Sequence, residues 1–289
     1  MKNFPAIHAP VFRTEKGTPY LKSPGVVLIN QPDCCLDGVQ TFLDGFDESL
    51  GFRNYLKDPV ELLPGEKVCK FAGQLCYMSF GPKRTTNDEA PKYFDNIKSS
   101  RHGSVLEHAN WSFLFYGISR SVTHELVRHR AGFGFSQVSQ RYVSGKVLRF
   151  VERPEYQNDS ILHANFIEAI DASTEKYEMR IKRLLELQKT GSEIMSADAK
   201  TDLRKKVQQA ARSCLPNETE APIVVTANAR GWRHFTEMRA NSHAEIEIRD
   251  LSFNAYNCLR EVAPIIFNDY AEDILPDGTM GVSTEYRKV

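Results

Sequence analysis

The stretch Asn110-Trp-Ser-Phe-Leu-Phe-Tyr116-Gly117-Ile118-Ser-Arg-Ser-Val-Thr-His-Glu-Leu-Val-Arg128-His129-Arg130 changes character once, at Gly117, and that change decides the fold class. Before the glycine, aromatic side chains crowd a segment that suits a strand, and Gly117 ends it. After it, Ile118, Val122 and Leu126 recur at i, i+4 spacing, which predicts a helix from Ile118 to Arg130. Working outward, Ser23-Pro24-Gly25 precedes Val26 to Ile29, a short buried strand, and Pro82 to Ala90 is a polar loop. Asp159 offers a cap for a long helix from Ser160 to about Gln188, with Phe166, Ile170, Tyr177, Ile181 and Leu184 as its apolar stripe. A helix fills Thr201 to Ser213, stopped by Pro216. Pro222 to Thr226 reads equally as a short strand or the start of a buried helix. Asn228 caps a helix containing Trp232 and Phe235. A last helix runs from Ser242 to Phe267 with Ile248, Leu251, Ala255, Leu259 and Val262 inward, and the tail after Asp277 is expected to be loose.

Strands and helices mixed in this way predict an α+β chain, a single domain over 1–289 with a central β-sheet flanked by long helices. Residues 1–65 carry Pro and Gly punctuation without a long periodic segment and read as an N-terminal extension of unassigned role. Hydrophobic residues make up 41% and charged residues 26%, enough apolar content for a real core. Acids and bases balance at 37 each, so no global field draws the chain to nucleic acid or a membrane, and any basic chemistry is local. Met1 to Pro10 has no apolar core flanked by positive charge, and no run reaches the ~20 apolar residues of a membrane span. The expected compartment is the cytoplasm. Cys34, Cys35, Cys69, Cys76, Cys214 and Cys258 match no zinc or redox spacing and are expected to be mostly small buried hydrophobes.

The local basic chemistry starts at Arg128. Arg128-His129-Arg130 is followed by two glycines, Gly132 and Gly134, and by Ser136-Gln137-Val138-Ser139-Gln140-Arg141-Tyr142, read as a polar loop. Arginine offers fixed, always-charged forks to phosphate oxygens, and glycine lets backbone N–H groups approach them. A solvated basic turn is the plainer reading of the same residues. A metal site is not expected: His124 and His129 are five apart and point about 140° away from each other on a helix, unlike the four-apart pair of a zinc-protease motif.

This segment resembles the signature of the flavin-dependent thymidylate synthases, an Arg-His-Arg triplet and, after a short spacer, Ser followed closely by Arg-Tyr. Eight residues separate Arg130 from Ser139, one more than the usual spacing, and the extra residue falls near Gly132 to Gly134, where glycine can absorb it. Three further segments match in the same order across about residues 100–250: His102 to His108, Ser119 to His129, and a C-terminal set of Arg212-Ser-Cys-Leu-Pro216, Asn228-Ala229-Arg230, His234-Phe235 and Arg239 to Glu245. Alone, Arg212 would read as an arginine facing a helix C-terminus and Asn228 as a simple cap. The ordered set favours the family.

The resemblance implies an enzyme that transfers a one-carbon unit from 5,10-methylenetetrahydrofolate to C5 of dUMP, with NADPH reducing FAD and FAD delivering the hydride. It implies that Ser104, Glu107, Arg128, His129, Arg130, Asn228 and His234 bind FAD, with Glu107 and also His102 as weaker contacts. Arg120, Glu125, Ser136, Gln137, Val138, Ser139, Arg141 and Arg212 are implied to bind the nucleotide, and Arg239 to touch the uracil ring as the catalytic residue. A guanidinium there would stabilise negative charge developing on the pyrimidine carbonyl and make C5 more nucleophilic. No metal and no attacking cysteine are implied, and sites where subunits of a homotetramer meet are. The rival readings are the same chemistry on UMP, a non-catalytic flavin or nucleotide-binding module, and an RNA-binding protein, the last disfavoured by the neutral net charge.

Overall fold

The structure is a computed structural model that describes residues 4–142, 145–190 and 200–289. The N-terminal segment supplies β1 (Ala6–Ile7), β2 (Val11–Arg13), β3 (Pro19–Leu21) and β4 (Gly25–Asn30), then helices α1 (Gln40–Asp44), α2 (Pro64–Cys76) and α3 (Ala90–Ser99). Then come β5 (Asn110–Tyr116), α4 (Arg120–Leu126), β6 (Phe133–Gln137), β7 (Phe150–Val151), α5 (Ser160–Lys189) and α6 (Lys200–Ala211). The chain closes with β8 (Ile223–Asn228), α7 (Ala229–Arg239), α8 (Ile246–Val262), α9 (Pro264–Phe267), β9 (Ala271–Ile274) and β10 (Met280–Ser283).

The central sheet has the order β1-β4-β5-β8-β6 and is antiparallel throughout. Its core face is written in period two. Trp111, Phe113 and Phe115 of β5 stand opposite Ala227, Val225 and Ile223 of β8, and all six are buried. Trp232 of α7 meets Phe113 edge-on at 5.0 Å, and Ile248, Leu251, Ala255 and Leu259 of α8 complete the same core. The extension of residues 1–65 therefore contributes two strands to the sheet that carries the core. Helix α5, capped by Asp159 as expected, packs through Phe166 and Ile170 onto the small sheet β2-β3-β7. No helix of the described residues is long and apolar enough to cross a membrane.

Five expectations change. The helix after Gly117 stops at Leu126, where Arg128 N–H and His129 N–H donate to carbonyls only three residues back, tightening the end. Gly132 then turns the chain with φ +76°, and Phe133 to Gln137 pairs with β8 as an edge strand rather than forming a polar loop. Pairing with a buried strand outweighs the continuing helical pattern. The last helix is shorter than Ser242–Phe267: Asn241 to Glu245 form a turn, and Pro264 forces Ala263 out of helical geometry, separating α8 from α9. The tail is ordered by β9–β10 pairing and by Val282 N–H donating to the Ala240 carbonyl at 2.7 Å. Cys69 and Cys258 are buried, but Cys34 and Cys214 are half-buried and Cys35 and Cys76 exposed, so burial does not account for most of the cysteines. The open reading of Pro222–Thr226 resolves as strand β8.

Candidate active site

Helix α4 begins where Ser119 accepts from the Val122 N–H with its hydroxyl and ends facing the last turn of α7. There Arg239 donates from Nη1 to Glu125 Oε2 at 2.7 Å and from Nε to His129 Nε2 at 3.0 Å. Because His129 Nε2 accepts, its ring carries its proton on Nδ1. Burial, then the charges of Arg239 and His234, push the His129 pKa down to about 4, so the ring is neutral near pH 7. Phe235 at 5.2 Å, His234 at 5.8 Å and Phe133 at 5.9 Å surround that ring. Burial and the Glu245 carboxyl raise the Glu125 pKa, opposed by Arg239.

A second group gathers at the N-terminus of α7. Asn228 caps it, accepting from Gly231 N–H at 2.8 Å, and Ala229 N–H donates to the Ala109 carbonyl just after the turn Gly103–His108. That turn presents Ser104 to solvent, and its Glu107 pairs with Arg230 at 2.6 Å. His102 and His234 are exposed, as are Arg128 and Arg130, which form no ion pair with a described residue. Gly132 lies against the Asn228 amide: a Cβ there would come within 2.8 Å of Asn228 Nδ2, and its φ of +76° already favours glycine. Gly132→Ala is therefore expected to cost about 1–3 kcal/mol and to displace the Asn228 cap. A melting temperature equal to that of the parent protein would contradict this.

The residues expected to bind the nucleotide divide. Arg120, at the start of α4, and Arg212, in the turn after α6, are close enough that burial and the Arg212 charge both lower the Arg120 pKa. Neither pairs with a carboxylate among the described residues, which leaves a doubly cationic corner suited to an anion. Glu125 lies five residues along α4 from Arg120, about 7.5 Å of helix rise. Ser136 and Gln137 belong to β6, which runs away from the Asn228 end of β8 for about 13 Å. Val138 N–H donates to the Pro222 carbonyl, and Ser139 Oγ accepts from Arg141 N–H. Val138 and Gln140 line a cavity of about 840 Å³ together with Arg13, Arg149 and Glu220, whereas Arg141 is exposed beside the Tyr142 ring. No hydrogen bond between described residues joins this loop to the Arg239 cluster.

Three participants escaped the sequence reading of the site: Arg153, Glu245 as a partner of Glu125, and Glu247. Arg153 and Glu245 form an ion pair. Glu247 accepts from both Ser119 N–H at 2.7 Å and Ser119 Oγ at 2.8 Å, fixing the start of α4. Glu245 stood in the motif quoted above, but its link to residues 92 and 120 positions upstream left no local signal.

The fold is similar to that of a UMP/dUMP methylase, PolB from Streptomyces cacaoi, solved with 5-Br dUMP: the TM-score is 0.56 at 18% identity, over 86% of this chain and 94% of that one. The sequence model of the thymidylate synthase complementing protein family matches residues 60–265. The chain belongs to that family. The flavin-dependent thymidylate synthase of Mycobacterium tuberculosis strain H37Rv is 44% identical over 220 residues, 74% of this chain and 83% of that protein. The protein of the same description from Mycobacterium sp. strain KMS is 46% identical over 226 residues, 76% and 85% of the two chains.

Proposed function

We propose that the chain is a flavin-dependent thymidylate synthase that methylates dUMP at C5, with 5,10-methylenetetrahydrofolate as one-carbon donor and NADPH as reductant. The observation that carries this reading is the placement of Arg239, fixed by Glu125 and His129, one short helix away from Arg120 and Arg212, two cations that pair with no carboxylate among the described residues. A pyrimidine at Arg239 and a phosphate at Arg120 and Arg212 match the two ends of one nucleoside monophosphate. Arg239 would hold the developing negative charge of the uracil carbonyl, and its rigid fork needs no rearrangement as that charge grows.

The residues on the other side of Arg239 suit FAD. Arg128 and Arg130 are exposed cations without partners among the described residues, Asn228 and Ser104 offer polar groups at the α7 end, and the neutral His129 ring adds no competing charge. Bound there, FAD would carry the hydride from NADPH to the new methyl group. Ser136 to Ser139 and Arg141 lie apart from Arg239 within one chain, so in the proposed homotetramer they would serve a neighbouring subunit's nucleotide. The enzyme would work in the cytoplasm.

The phosphate assignment gives a direct test. Two charge-assisted contacts to phosphate predict that dUMP binds at least about 100-fold more tightly than deoxyuridine. Calorimetry on the purified protein checks this, and equal affinities would remove Arg120 and Arg212 from the site.

A further inference from the structure

The first turn of α8 reaches both segments whose arginines are assigned to the nucleotide. On one side the buried Arg249 donates from Nη2 to the carbonyls of Ser242 and Ala244, at 3.3 and 2.7 Å, and so closes the turn that follows Arg239. On the other side the buried Glu247 accepts from the N–H and the hydroxyl of Ser119, the residue before Arg120. That hydroxyl has a single proton. With the proton given to Glu247, a lone pair is left for the Val122 N–H at 3.3 Å, the capping bond that starts α4. A carboxylate accepts from both Ser119 groups, whereas an amide in its place turns a donor toward one of them. Burial pushes the Glu247 pKa up to about 7 against those two bonds and the Arg153 charge, so the carboxylate prevails above that pH.

Helix α4 is thus tied at both ends. Its last turn meets Arg239 through Glu125, and its cap is tied to α8 through Glu247. Backbone hydrogen bonds from Arg120 N–H to the Thr219 carbonyl and from Ala221 N–H to the Ile118 carbonyl hold the same segment, but neither involves α8. We infer that Glu247 is a positioning residue: by locking the Ser119 cap onto α8, it sets Arg120 at one nucleotide's reach from Arg239, so that phosphate and base are gripped together. Without that lock, α4 stays held at its Arg239 end while its Arg120 end shifts. The effect of Glu247 therefore falls on the phosphate share of binding and spares the base.

The inference rests on the proposed roles of Arg120 at the phosphate and Arg239 at the base. Calorimetry with dUMP and with deoxyuridine, at about pH 8.5 where the carboxylate prevails, reads the phosphate share as a ratio of two affinities. Glu247→Gln should lower that ratio by about 10-fold, through weaker dUMP binding, and leave deoxyuridine affinity within about 2-fold of the parent's. In turnover, KM for dUMP should rise while kcat stays within about 2-fold. Ser119→Ala breaks the same link from the other side and should lower the ratio to a similar extent. The double variant should fall no more than about 2-fold below either single one. If Glu247→Gln does not fold, Ser119→Ala decides the question. An unchanged ratio in a folded variant, equal weakening of both ligands, or additive losses in the double variant overturn the inference. A parent protein with equal affinities for dUMP and deoxyuridine overturns the phosphate assignment instead, and one that methylates no nucleotide overturns the proposed function.

Discussion

Arg239→Ala is expected to lower kcat by about 10²–10³-fold while flavin stays bound, the loss that follows removal of one preorganised charge-stabilising donor. The structure explains why the two effects should separate. Arg239 reaches His129 through one hydrogen bond, but the His129 ring is also packed by Phe235, Phe133 and His234, which the substitution leaves in place. The variant also removes a positive charge beside that ring, so the His129 pKa should rise from about 4. Single-turnover kinetics and the flavin absorbance of the purified variant check both halves. Loss of flavin together with activity would contradict the role given to Arg239.

Asp269→Ala is expected to destabilise the fold by about 3–5 kcal/mol, because it leaves a buried guanidinium without its counter-charge. Arg233 is 1% exposed and grips Asp269 with two hydrogen bonds, at 2.6 and 2.9 Å, while Lys98 and Thr284 bind the same carboxylate. This cluster fastens the back of α7, the helix whose exposed side carries His234 and whose ends carry Asn228 and Arg239. Burial alone would raise the Asp269 pKa, but the hydrogen bonds and charge of Arg233 hold it below the usual carboxylate range. A depressed folded pKa means the stabilisation is present above the unfolded pKa and is lost as pH falls through the folded value. Denaturant melts of parent and variant at pH 7 give the difference directly, and a difference under about 1 kcal/mol would show that the cluster does not hold α7.

The strongly periodic elements were legible in the sequence. Trp111, Phe113 and Phe115 marked β5, Asp159 marked the start of α5, and Asn228 marked that of α7. Strand β6 was missed although Phe133, Phe135 and Gln137 alternate with the exposed Gly134 and Ser136, a period-two signal hidden by glycine, serine and the adjoining arginines. The end of α4 was misplaced because Val127 and Arg128 continue a helical pattern locally, and only pairing with β8 draws the chain away. Helices α2 and α3 have no counterpart among the sequence-based expectations. In the candidate site, the arginines were readable as charge and motif, but their grouping was not: Arg239 meets a carboxylate 114 residues upstream, and Arg120 lies near a second guanidinium beyond two strands and two further helices. Such juxtapositions depend on sheet order and helix packing rather than on local spacing.

Purified protein given FAD, NADPH, 5,10-methylenetetrahydrofolate and an equal mixture of dUMP and UMP tests the central claim most directly, with products read by mass spectrometry. The expected product is dTMP, a gain of one methyl group on the deoxynucleotide. Methylation of UMP in its place would keep the flavin chemistry and contradict the assigned substrate. No methylated product from protein that visibly holds flavin would contradict the enzyme altogether.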